Sequence, residues 1–152
     1  MHGALAELET AWWYGTQASS LRASRVAALA HLLHALRRLQ DDVERDRLPL
    51  PMARLARFGL SRSDLRSRSD ARDQAVRAQL DELEAAWRDA MALPGPLGVF
   101  RALEAREAIC LVKASRRAGD PLAALQRGLP GSSFGNTLAA WGAARRWRLA
   151  TG

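Results

Sequence analysis

Cysteine is nearly absent from this sequence: Cys110 is the only one in 152 residues. No disulfide can form within the chain, which fits a reducing compartment, and a cytoplasmic location is expected. Cys110 sits in an apolar run with Ile109, Leu111 and Val112 and is expected to act as a small core hydrophobe. Lysine is equally rare. Lys113 stands alone against 22 arginines, so the net charge of +7 is almost all guanidinium. β-Branched residues are thin, with Ile109 the only isoleucine. No apolar–polar alternation accompanies them, so strands are not expected, and the wealth of Ala, Leu and Arg points to an all-α fold. No apolar run reaches the ~20 residues needed to span a bilayer. The first residues carry Glu7 and Glu9 and lack a basic start followed by an apolar run, so no signal peptide is expected.

The positive charge admits nucleic acid or anionic lipid as partners. The arginines, however, are spread among acids rather than gathered into a patch, so nucleic acid is not expected. Arg145, Arg146 and Arg148 form a basic end that allows a peripheral membrane contact. The same arginines also suit the negative end of a helix.

What is present is organised around residues 19–51. Val26, Leu29, Leu33, Leu36 and Val43 recur at helical spacing, with Leu32 and Leu39 beside them. This predicts one long amphipathic helix with Ser19 or Ser20 as its cap, stopped by Pro49 and Pro51. Its opposite face carries His31, His34, Arg38, Asp41, Asp42 and Arg45. Around this spine the pattern predicts a helix over 3–14, with Leu5, Leu8 and Trp12 in one stripe and Trp12, Trp13 and Tyr14 forming a core or oligomer contact. A short helix over 52–59 closes on Gly59. A long helix over 70–92 carries the stripe Val76, Leu80, Leu83 and Trp87. A helix over 97–118 holds Phe100, Leu103, Ile109, Cys110 and Val112, and its apolar girth suggests a central place. Asp120 and Pro121 open a short helix, and a last helix over 136–150 carries Leu138, Trp141 and Trp147. The result expected is one helical domain over 1–152, a bundle of five or six helices.

Few residue sets could carry chemistry. No Ser/His/Asp or Cys/His constellation is identifiable. The glycine-rich stretch at 128–135 lacks the lysine of a phosphate loop and follows no strand. His31 and His34 share a helix face, but Arg38 among the acids repels a metal cation. Ion pairs Arg38–Asp42 and Asp41–Arg45 account for the same spacing. Asp41 and Asp42 could hold Mg²⁺ against a diphosphate if a facing helix supplied more acids, for which Asp81, Glu82, Glu84, Glu104 and Glu107 are available.

Residues 34–65 resemble a longer motif. The run His34, Arg37, Arg38, Asp41, Asp42, Arg47, Leu50, Pro51 follows the pattern N-I-L-R-D-x-x-E-D-x-x-x-x-R-x-Y-L-P, and Phe58-Gly59-Leu60-Ser61 with Asp64-Leu65 follows F-G-[LV]-S-x-x-D-L. Both phrases are those of the squalene and phytoene synthase superfamily. The resemblance implies the C-terminal half of the isoprenoid (terpenoid) synthase fold. It implies a Mg²⁺–diphosphate site in which Asp41 and Asp42 hold metal while His34, Arg37, Arg38 and Arg45 meet an isoprenoid diphosphate. Arg38 stands where the family has its first metal-binding aspartate, His34 replaces an asparagine, and Pro49 replaces a tyrosine. The family's other D-x-x-x-D motif is not found before residue 20. This eroded pattern is similar to that of the superfamily's complex I assembly factors, which act through protein contacts. It implies a truncated, non-catalytic protein that binds a protein partner or an isoprenoid ligand and needs no cofactor. A homo-oligomer or heteromer is expected, since a half-size bundle leaves apolar faces uncovered. The alternative is a Mg²⁺-dependent prenyl transferase completed by a second chain.

Overall fold

The spine predicted over 19–51 forms as two helices. In the computed structural model, which describes residues 2–45, 47, 50–128 and 134–151 (without the side chains of 2 and 146–151), α2 (Leu21–Arg37) and α3 (Leu39–Glu44) meet at Arg38. There the Arg38 N–H is shared between the carbonyls of His34 and Ala35, at 3.3 and 3.1 Å. Such a three-centre bond tightens the last turn of one helix before the next begins. The expected hydroxyl cap is not made: Ser20 sits at the N-cap of α2, but its side chain accepts no hydrogen bond there.

The other elements are α1 (His2–Tyr14), α4 (Met52–Arg57), a 3₁₀ turn (Ser63–Leu65), α5 (Asp70–Ala92), α6 (Val99–Arg117), α7 (Pro121–Arg127) and α8 (Phe134–Thr151). The described residues therefore form eight helices rather than five or six, because the break at Arg38 adds one and the short segments close turns of their own. No strand forms among them. α2, α5 and α6 pack mutually as the centre. α1 leans on α2, α8 leans on α6, and α7 packs on both α5 and α6. Among the described residues no helix is long and apolar enough to cross a membrane.

The core of the centre follows the sequence periodicity. Val26, Leu29, Leu33, Leu36, Leu39 and Val43 are buried along α2 and α3, and Val76, Leu80, Leu83 and Trp87 along α5. Leu32, off the stripe, is exposed.

The peripheral helices invert the expectation. α1 buries Ala6 and Thr10 against α2 and turns Leu5, Leu8 and Trp12 outward, Trp12 to 85 % exposure. Thr10 satisfies its hydroxyl within the helix by donating to Ala6 O at 2.7 Å. α8 buries Ala140 and Ala144 and exposes Phe134, Leu138 and Trp141. α6 is central as expected, yet its inner face is Ala102, Ala105, Ala108, Leu111, Val112 and Ser115. Phe100 and Cys110 are exposed, not core. In each case alanines allow the helix axes to approach closely, and the bulky residues are left on the other side.

The turns follow recognisable local chemistry. Gly59, at φ +62°, ends α4 with two bonds, Leu60 N–H to Leu55 O at 2.9 Å and Gly59 N–H to Ala56 O at 3.1 Å. That pair is a Schellman closure, which needs a left-handed residue. Next, Asp64 accepts from the Ser61 N–H at 2.7 Å and the Ser61 hydroxyl at 2.6 Å. Those hydrogen bonds, side chain first and backbone second, hold the Asp64 carboxyl below the usual carboxylate range. Asp120 caps α7 by accepting from Ala123 N–H at 2.9 Å, with Pro121 at the first helical position.

The α5–α6 turn is docked on the α1–α2 turn. Arg22 Nε donates to Leu93 O at 2.6 Å, and Tyr14 donates to Leu97 O at 3.0 Å. Gly95 lies between them at φ +115°, where an added Cβ would collide with the Ser19 carbonyl oxygen. Gly95→Ala therefore meets both a disfavoured backbone and a clash that only a main-chain shift relieves. It is expected to destabilise the fold by about 2–4 kcal/mol in chemical denaturation. Gly119→Ala, with open space around it, is the control.

Candidate functional site

Leu33, His34 and Arg37 follow one another along one edge of α2, and Leu103, Glu104, Glu107 and Leu111 along the facing edge of α6. Between them runs a groove of about 540 Å³, closed at one end by Arg127 and Gly128. Gly128 has φ +74°, and a Cβ on it would stand 3.2 Å from Arg37 Nη2. The bare glycine lets the end of α7 approach the guanidinium.

A second hollow, of about 450 Å³, opens where α1, the start of α6 and α8 converge. Four aromatic residues line it, Trp13, Tyr14, Phe100 and Trp141, together with Glu9 and Arg145. The Arg145 guanidinium lies over the Trp141 ring at 5.2 Å from its centroid, a cation–π contact. Glu9, Phe100, Arg101 and Glu104 line a smaller recess beside the two hollows. Phe100 borders all three spaces, which lie side by side as a cleft with an aromatic end and a charged end.

The charges along the cleft are not equivalent. In the recess Arg101 donates to Glu9 Oε2 at 3.0 Å and to Glu104 Oε2 at 2.9 Å. Burial works against the Arg101 cation, but the two carboxylates hold its pKa above the ordinary value. Glu104 is thus neutralised locally. Glu107 is different: its Oε1 is buried and has no hydrogen-bond partner among the described residues. At the charged end, Arg37, Arg127 and His34 share the groove with Glu104 and Glu107.

Of the residues singled out in the sequence, His34 and Arg37 line the cleft. Arg38, Asp41 and Arg45 are exposed, and Asp42 is half-buried, all away from the lining. The tightened turn at Arg38 lies between the two sets. The ion pairs expected for Arg38–Asp42 and Asp41–Arg45 are not formed among the described residues, as befits long exposed side chains whose pairing contributes little. The acids offered as a second cluster divide. Asp81 and Glu84 are engaged by Arg116, each at 2.9 Å, and Glu82 by Arg54, so that ion pairs bind α5 to α6 and α4 to α5. Only Glu104 and Glu107 face His34 and Arg37. No group of three or more His, Cys, Asp or Glu side chains is placed to hold a metal among the described residues. The glycine-rich stretch at 128–135 lies largely outside them.

No protein family, curated protein or solved structure matches this chain.

Several lining residues carry no local sequence signal for a site. Arg127, Trp141 and Arg145 reach the cleft through the packing of α7 and α8 on α6, contacts distant in sequence. One available signal was Phe100, a bulky residue four before the first acid of the Glu104/Glu107 pair on the same helix.

Proposed function

We propose that this chain is a non-catalytic binding protein for an amphiphilic, isoprenoid-type diphosphate, built on a scaffold similar to that of squalene and phytoene synthases. The observation that carries the reading is the adjacency, on either side of Phe100, of an aromatic slot and a groove with Arg37, Arg127 and His34. An apolar polyprenyl tail gains from leaving water among Trp13, Tyr14 and Trp141. A diphosphate gains charge-assisted hydrogen bonds from guanidinium groups, whose fork geometry suits phosphate oxygens.

Asp41 and Asp42 do not fit a Mg²⁺ site for that ligand. Neither lines the cleft, Arg38 and Arg45 flank them in sequence, and no third ligand is gathered beside them among the described residues. Ionising a prenyl diphosphate without such charge stabilisation is unfavourable, so binding rather than turnover is the reading advanced. We place the protein in the cytoplasm, where a lone thiol stays reduced.

Farnesyl diphosphate titrated against intrinsic tryptophan fluorescence tests this, because Trp13 and Trp141 line the slot. Saturable binding is expected. Arg37→Ala should weaken it about tenfold or more, the loss of one charge-assisted bond, whereas Arg38→Ala should leave it unchanged. Absence of saturable binding refutes the proposal. Release of pyrophosphate that requires Mg²⁺ and is abolished by Asp42→Ala would replace it with the prenyl transferase reading.

A further inference from the structure

The seven-residue helix α7 links the charged groove to a cluster of buried charge. At its end, Arg127 and Gly128 close the groove. Gly128 stands so near Arg37 that an added Cβ would lie 3.2 Å from Nη2. At its start, Asp120 uses its two carboxylate oxygens differently. Oδ1 accepts from the Ala123 N–H at 2.9 Å and caps the helix. Oδ2 lies 3.6 Å from Nη2 of the buried Arg72 and 3.7 Å from Nε of Arg68. Arg68 also donates to the carbonyl of Gly119, the residue before Asp120, at 2.9 Å. We propose that Asp120 is a positioning residue for Arg127: its contact with the two arginines sets where α7 places that guanidinium in the groove.

Capping by itself does not require the second oxygen, since asparagine and serine cap a helix as well as aspartate does. What the carboxylate adds is charge directed at Arg72, which is buried on α5 and also pairs with Asp73 at 3.4 Å. The start of α7 is thereby tied to α5, a helix that is not its neighbour in the chain. Seven residues rise only about 10 Å, so the helix moves as one unit and a shift at Asp120 is carried to Arg127. The benefit is pre-organisation: a cation already held in place loses less freedom when an anionic head group arrives. This inference deepens the proposed function and rests on the groove being the head-group site.

Asp120→Asn separates the two jobs, because it keeps the cap and removes the charge. The full-length variant should stay folded with unchanged helical content, since Arg72 retains Asp73. The test is a mutant cycle read by calorimetry, with inorganic pyrophosphate as the head-group probe and farnesol as the tail probe. Asp120→Asn should weaken pyrophosphate about fivefold and leave farnesol unchanged. Arg127→Ala should weaken pyrophosphate about tenfold. Adding Asp120→Asn to Arg127→Ala should then cost little more, because the group it positions is gone. A second arm needs no ligand: in nitrogen–proton NMR spectra of the free protein, Asp120→Asn should shift the Gly128 amide and the Arg127 Nε–H. Failure of the parent chain to bind pyrophosphate would refute the head-group reading, while the spectra would still decide whether Asp120 positions Arg127. Unshifted Gly128 and Arg127 resonances overturn the proposal. So do fully additive losses in the cycle, or equal weakening of farnesol and pyrophosphate by Asp120→Asn.

Discussion

Replacing Trp87 with alanine is expected to destabilise the protein by about 3–5 kcal/mol, the range for removing a large buried aromatic. Trp87 is wholly buried and closes the α5 stripe that faces the central cluster. Alanine would leave a void that two helices on either side cannot fill without disturbing the cleft wall on α6. Trp87→Phe isolates the role of the indole nitrogen. Its N–H is buried and has no hydrogen-bond partner among the described residues. Phenylalanine removes that unsatisfied donor along with part of the volume, so the loss should be only about 1–2 kcal/mol. Thermal unfolding checks both, at about 2–4 °C per kcal/mol for a chain of this size. Equal losses for the two variants would mean that the nitrogen, not the volume, matters.

The second large effect is expected at the joint between α5, α6 and α7. Arg72 and Asp73 are a buried pair, Arg72 at 2 % exposure, with Arg72 Nη2 3.4 Å from Asp73 Oδ1 and 3.6 Å from Asp120 Oδ2. Arg68 reaches Asp73 at 3.2 Å and donates to Gly119 O at 2.9 Å, while Arg77 donates to Ala118 O at 3.0 Å. Arg68, just before α5, and Arg72 and Arg77 of α5 thus gather the carbonyls after α6 and the capping aspartate of α7. Asp73→Ala leaves the buried Arg72 guanidinium with Asp120 alone, at 3.6 Å, and should destabilise by about 3–5 kcal/mol in denaturant titration. The double replacement Arg72→Met with Asp73→Leu removes both charges and should recover most of that loss, because desolvation of a buried pair offsets most of its attraction. Additive loss in the double variant would contradict this reading.

How much was legible in the sequence depended on what periodicity can and cannot say. It says which residues share a helix face. For α2 and α5 the apolar face was also the only one dense with large residues, so Val26 to Val43 and Val76 to Trp87 were assigned inward correctly. For α1, α6 and α8 an alanine-rich face competed with a bulky one, and the structure turned the alanines inward. Nothing in a single helix distinguishes close axial packing on Ala6 or Ala105 from burial of Trp12 or Phe100; the neighbouring helix decides. The same limit hid Arg127 and Trp141, which come to the cleft only through long-range packing.

The motif resemblance resolves in physical terms as well. Gly59 supplies the left-handed closure of α4, Ser61 and Asp64 bond to each other across a turn, and Leu65 is buried beneath them. The phrase around 58–65 is therefore turn and core chemistry, which a chain can keep without any reaction. His34 and Arg37, by contrast, keep a place on the cleft wall, while Arg38, Asp41 and Asp42 do not.

The proposed function requires the charged groove and the aromatic hollow to hold the head and tail of one ligand together. The most direct measurement compares the affinities of farnesyl diphosphate, inorganic pyrophosphate and farnesol by calorimetry, in the parent chain and in Arg37→Ala and Trp13→Ala. The account predicts that farnesyl diphosphate binds far more tightly than either fragment. Arg37→Ala should weaken it and pyrophosphate but spare farnesol, and Trp13→Ala should weaken it and farnesol but spare pyrophosphate. Equal affinity for farnesyl diphosphate and farnesol, untouched by Arg37→Ala, would contradict it.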